Sequence, residues 1–150
     1  MATITWSAPD AAESLMTTEL NAVASSANAI TGTAVSNDAA GELDLYATFE
    51  LYLATQGGNR AAGARVDMYF LPEIDGSNYS FGGASLDPSP SSFAGTFQLD
   101  AGVTTARYTL LTMVPLPPHD FHIVLINETG QALAATGNTL KMSRYNMASA

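Results

Sequence analysis

Leu43-Asp44-Leu45-Tyr46-Ala47-Thr48-Phe49-Glu50-Leu51-Tyr52-Leu53 carries an apolar residue at every odd position. The even positions hold Asp, Tyr, Thr, Glu and Tyr. Strand side chains alternate between two faces, so this stretch reads as one long half-buried strand. Gln56-Gly57-Gly58-Asn59 supplies the turn that ends it.

Downstream the period of two recurs. Residues 64–71 place Val66, Met68 and Phe70 on one face, and Pro72 is expected to stop that strand. Residues 72–92 form a long loop rich in Gly, Ser, Asp and Pro, the kind that is usually functional or disordered. Residues 93–99 alternate again, as do residues 104–114 with Tyr108, Leu110, Thr112 and Val114 in phase. Pro115-Leu116-Pro117-Pro118 is a stiff connector. Residues 121–126 are a continuous apolar strand, and Asn127-Glu128-Thr129-Gly130 turns the chain. Residues 133–136 and 139–145 read as closing strands, parted by Gly137-Asn138. Six to eight short strands with no helix between them predict a mainly β fold, an antiparallel β-sandwich or jelly roll.

The first thirty residues read differently. Ser7-Ala8-Pro9-Asp10 has the form of a helix start, with an N-cap serine, a proline in the first turn and an acid after it. Met16, Leu20, Val23, Ala27 and Ile30 then recur at spacings of four and three, one stripe of a short amphipathic helix. Such a stripe buries either against its own domain or against another subunit. Trp6, just ahead of the cap, would anchor it in either case. The expected organisation is an N-terminal helical arm over residues 1–34 and a β-sandwich over residues 35–150.

The chain's 150 residues suit one domain, and a hydrophobic content of 47% suffices for a core. Charged residues make up only 13%, with five Lys and Arg against fourteen Asp and Glu, giving −9. Lys141 is the single lysine. Without a basic face the chain is not expected to bind nucleic acid or an anionic membrane surface. With no cysteine, thiolate chemistry and Cys-ligated metals are excluded. No apolar run reaches the ~20 residues of a spanning helix, and residues 1–10 do not resemble a secretory signal. The expected place of synthesis is therefore the cytoplasm.

Catalytic chemistry finds little support. The lone lysine rules out a P-loop, and neither a G-x-S-x-G elbow nor an H-E-x-x-H helix is present. His119 and His122 stand three apart at a strand start, on opposite faces, which disfavours a shared metal. Glu42 and Asp44 head the first long strand, but the third position of an acidic triad on that face is Ala47. Asp44 and Glu50 share a face about 20 Å apart, too far for an acid–base pair. Asp75-Gly76-Ser77-Asn78-Tyr79-Ser80 offers oxygen ligands and an aromatic ring in a loop, without the spacing of a calcium loop. No cofactor and no enzymatic activity are expected.

The segment from Leu116 to Leu140, together with Asp44–Leu51, Asp67–Pro72 and Asp75–Tyr79, resembles virion structural proteins of tailed bacteriophages, of the head-decoration or cement type. That resemblance implies a β-sandwich or jelly-roll subunit on the outer capsid surface, made in the host cytoplasm. It implies a homo-oligomer, with a trimer favoured, and the major capsid protein as partner. Contact residues would be Trp6, the stripe Leu15, Met16, Leu20 and Val23, and Asn78 and Tyr79 in the long loop. The alternative is a carbohydrate- or receptor-binding jelly-roll module of a tail or fibre.

Overall fold

The computed structural model describes residues 4–37 and 43–149. Two four-stranded antiparallel sheets dominate it. The first has the order β2 (Glu13–Met16), β9 (Thr139–Tyr145), β4 (Tyr46–Leu53), β7 (Arg107–Pro115). The second has the order β3 (Asn28–Ile30), β8 (Asp120–Glu128), β5 (Arg65–Glu73), β6 (Phe93–Gln98). A short ribbon pairs β1 (Ile4–Trp6) with β10 (Met147–Ser149). The fold is mainly β and sandwich-like, as its alternating sequence predicts. A 3-10 turn, Pro90–Ser92, is the one helical element among the described residues.

From Tyr46 onward the long central strand behaves as its pattern requires, whereas Leu43 and Leu45, expected on its buried face, precede the strand and are exposed. Ala47, Phe49, Leu51 and Leu53 are buried, while Tyr46, Thr48, Glu50 and Tyr52 stay half-exposed. Val66, Met68 and Phe70 of β5 and Phe121, Ile123 and Leu125 of β8 face them across the core. Phe70 joins the layers, its ring 5.8 Å from Phe49 and 4.8 Å from Phe121. β5 continues through Pro72 to Glu73 rather than ending before the proline. Residues 133–136, expected as a strand, are loop.

The N-terminal helical arm is not found. Ala22 and Ser26 have φ of 57° and 59°, which no α-helix accommodates. Asn21 N–H donates to the Thr18 carbonyl and Ala27 N–H to that of Ala24, so two turns replace the helix. The Glu19 carboxylate accepts from the Thr17 and Thr18 amides. Burial alone would raise the Glu19 pKa, but backbone hydrogen bonds at Glu19, Thr17 and Thr18 outweigh it and hold it below its ordinary value. Thr17, Thr18, Asn21, Ser25 and Ser26 are residues whose side chains compete with helical hydrogen bonding. The 4-3-4-3 spacing therefore arises from a strand, a double turn and a second strand.

These residues complete the sandwich. β2 is an edge of the first sheet and β3 an edge of the second. Met16 and Leu20 are 0% and 1% exposed in the common core, with Leu15 and Val23 packed against it. The stripe assigned to a docking partner is instead directed into the chain's own body. The physical reason is that both sheets lack an edge strand without it.

β7 also departs from its expected phase. Thr109, Leu111 and Val114 face inward, whereas Tyr108 and Leu110 face out. Met113 has φ of 57°, and the register with β4 shifts between Ala47 and Phe49. This one-residue bulge changes which face the strand's alternate residues occupy. Opposite it, Gly95 of β6 admits Leu111, whose Cδ1 lies 2.9 Å from where a Cβ would stand.

Candidate functional site

The two sheets treat their outer faces differently. On the second sheet, Leu71 and Val124 point away from the common core yet are fully buried. Residues 74–92 lie over Leu71. Asn28 Nδ2 donates to the Gly83 carbonyl and to Asp87 Oδ1, both at 3.1 Å. Gly82 (φ 146°) lies against Leu71, where a Cβ would come 3.0 Å from Leu71 Cδ2. Tyr79 bridges to Glu73 and lays its ring 4.7 Å from that of His122. The long loop of the sequence is thus a lid over its own sheet, with Ile74, Phe81 and Leu86 exposed along it.

His122 is enclosed beneath that lid. Its Nδ1 sits 3.2 Å from the Thr31 hydroxyl and carbonyl, and its Nε2 3.6 Å from Glu73 Oε2. Asp120 accepts from the Asn37 amide at 2.8 Å. Among the described residues no group of three or more His, Asp or Glu side chains converges as a metal site would require.

Of the loop residues singled out from sequence, Asn78 is committed locally. Its Nδ2 donates to Asp75 Oδ2 at 2.8 Å, and its amide and that of Ser77 donate to Asp75 Oδ1. Those hydrogen bonds, led by the Asn78 side chain, hold the Asp75 carboxyl below its ordinary pKa. A depressed carboxyl favours the closed turn above the unfolded pKa, and that preference is lost as pH falls through the folded value. Asn78→Ala should therefore raise the Asp75 midpoint in an NMR pH titration. An unchanged midpoint would mean that the backbone amides alone set it.

Among the described residues none forms such a lid over the first sheet. Trp6 sets its ring edge-on to Tyr46 and Tyr145, at 5.6 and 5.5 Å, and those two rings stack at 6.2 Å. Tyr46 and Tyr145 are register partners across β4 and β9, and Trp6 pairs with Met147. The Tyr145 hydroxyl accepts from the Met113 amide at 3.0 Å, tying the β7 bulge to the cluster. Around this triad Ile4, Leu45, Met113 and Met147 are exposed; Trp6 itself is 51% exposed and Met113 57%. Solvent-facing aromatics stiffened by one another, with methionines beside them, have the composition of an interaction patch.

Polar groups beside the patch hold it in place. Ser7 and Asn146 exchange two hydrogen bonds of 2.7 Å. Asn146 also donates to Asp44 Oδ1 and accepts from the Leu45 amide. Arg144 donates to the Ser36 carbonyl at 2.8 Å and meets Glu13 at 3.1 Å and Asp44 at 3.8 Å. Asp44 is thereby a structural acid, and Glu50 lies 3.8 Å from Lys141. Glu42, the other acid considered at the strand head, lies outside the described residues.

The structure thus brings Trp6 together with Tyr46, Met113, Tyr145 and Met147, and leaves Tyr79 and Asn78 on the lid of the opposite sheet. Tyr46 and Tyr145 had a sequence signal in the aromatic residues at outward positions of alternating strands. Met113 had none, because its exposure depends on the bulge. No protein-family model matches this chain, and no curated protein matches it.

Proposed function

We propose that this chain is a non-enzymatic structural protein of a virion, a decoration or cement protein on the outer surface of a tailed-phage head. There it would stabilise contacts between major capsid protein subunits, as a homo-oligomer in which a trimer is favoured. The observation that carries the reading is the aromatic cluster of Trp6, Tyr46 and Tyr145, which the described residues leave partly exposed on the face opposite the loop of residues 74–92. A cement protein adds interface area without chemistry, and a specific contact needs about 800 Å² per partner centred on a few aromatic anchors. The net charge of −9 favours the outside of a head, away from packaged DNA.

The strand orders 2-9-4-7 and 3-8-5-6 support reading the sandwich as a jelly roll, an architecture that viral capsid domains share with lectins and cupins. Fold alone does not set function, so the patch and not the topology decides the test.

Purified heads lacking this protein should bind the added chain, co-sediment with it and rupture at a higher temperature. Trp6→Ala should weaken that association by about thirtyfold, the loss typical of an aromatic hot spot, with its own melting temperature little changed. Absence of binding to heads, or binding indifferent to Trp6→Ala and to Met113→Ser, would overturn the reading.

A further inference from the structure

A second recess opens at the far end of β4, about 20 Å along the strand from Tyr46. Tyr52, Thr55 and Gly58 form one wall and the loop from Gln131 to Thr136 the other, around a cleft of about 670 Å³. Its volume falls in the range of small-ligand sites. No Asp, Glu, Lys, Arg or His lines it, on a chain whose net charge is −9.

The walls are built from within. Buried Gln56 donates through Nε2 to Thr129 Oγ1 and to the Ala132 carbonyl, each at 3.3 Å. Buried Asn138 donates to the Ala134 carbonyl at 2.8 Å and accepts from the Ala54 amide at 3.1 Å. The two walls are therefore cross-tied before any ligand arrives. Gly58 lets the Gln131 side chain lie close against the backbone, its Oε1 2.4 Å from where a Cβ would stand. Tyr52 supplies a flat ring, propped from outside by Tyr108 at a centroid distance of 4.4 Å.

We propose that this cleft binds a neutral carbohydrate. A charged ligand would lose its hydration with no counter-charge to receive it. A purely apolar one would leave unused the hydroxyls of Tyr52, Thr55 and Thr136 and the amide of Gln131. An uncharged sugar ring matches both features, laying its C–H face on Tyr52 and its hydroxyls on the polar lining. The inference goes beyond particle binding and uses the opposite end of the strand.

The test is amide-resolved NMR titration of the full chain with cellohexaose, maltohexaose and fully N-acetylated chitohexaose, and with hexagalacturonate as a charged probe. At least one neutral hexaose should give saturable shifts at Gly57, Gly58 and residues 131–136. Tyr52→Ala should weaken it by about tenfold or more, as expected for loss of an aromatic anchor. Gln131→Ala, which leaves the ring in place, should weaken it as well. Tyr79→Ala, on the opposite sheet, should bind as the unsubstituted chain does. The proposal fails if no neutral hexaose saturates the cleft by about 10 mM, beyond the millimolar range of weak sites. It fails equally if hexagalacturonate binds more tightly, or if a folded Tyr52→Ala or Gln131→Ala chain binds unimpaired. Tyr52→Ala should still associate with heads, so the two readings stand or fall separately.

Discussion

Deleting residues 1–30 should leave a chain that no longer folds cooperatively. The deletion removes β2 and β3, one edge of each sheet, together with the fully buried side chains of Met16 and Leu20. Leu20→Ala alone should cost about 2–5 kcal/mol, the range for truncating a large aliphatic side chain in a close-packed core. That is a large fraction of the ~5–15 kcal/mol that holds a typical domain together. Thermal melts followed by circular dichroism, with size-exclusion chromatography for aggregation, would measure both effects. A truncated chain that melted sharply as a monomer would restore the picture of a detachable arm. In the structure Met16 and Leu20 finish the core, so neither is available to a partner, whereas Trp6 at the start of the same segment stays exposed.

Asn138→Ala should lower the melting temperature by about 6–12 °C. Asn138 is fully buried and acts as a four-way tie. Its Nδ2 reaches the Leu20 carbonyl at 3.3 Å, Asn21 Oδ1 at 3.2 Å and the Ala134 carbonyl at 2.8 Å, while its Oδ1 accepts from Ala54. Truncation costs the Ala54 amide and the Leu20 carbonyl a partner, at about 1–3 kcal/mol each and less than additively, while the Ala134 carbonyl keeps the Ala22 amide. A net loss near ~3 kcal/mol corresponds to the stated shift for a chain of this size. Asn138→Asp should be worse than Asn138→Ala at neutral pH, since it buries a carboxylate among carbonyl oxygens. Burial and those neighbours raise the introduced carboxyl's pKa in the folded state. The folded state then binds the proton more tightly than the unfolded one, so Asn138→Asp should regain stability as pH falls. A flat response to pH, or an Asn138→Ala chain as stable as the parent, would show that the four hydrogen bonds add nothing net.

These two residues also explain why the first thirty residues read misleadingly. Leu20 and Val23 have helical spacing, and nothing nearby in the sequence shows that Asn138 and Asn127 lie against the same turns. Asn127, also buried, donates to the Val23, Ala24 and Gln131 carbonyls at 2.8–3.1 Å. Carbonyls that a helix would have satisfied internally are satisfied by side chains more than a hundred residues away. The bulge at Met113 is a similar case. Its αL backbone is uncommon for a residue other than glycine, and the shift of Leu111 relative to Val114 follows from pairing with β4.

By itself the sequence determined what depends on neighbours in the chain. The alternation at Tyr46–Leu53, the bounds of β9 at Thr139–Tyr145 and the turn at Gln56–Asn59 were legible, because a strand's period and a turn's glycine are local properties. The charge balance, too, was a matter of composition. Which apolar residues enter the core and which remain outside follows from how distant segments pack. Met16 and Leu20 look like a docking stripe until β9 and β8 are seen to need edge partners. Trp6, Tyr46 and Tyr145 look unrelated until antiparallel pairing stacks them on the face that the lid of residues 74–92 does not cover. Burial is settled by which distant segments meet, and that information is in no single stretch of chain.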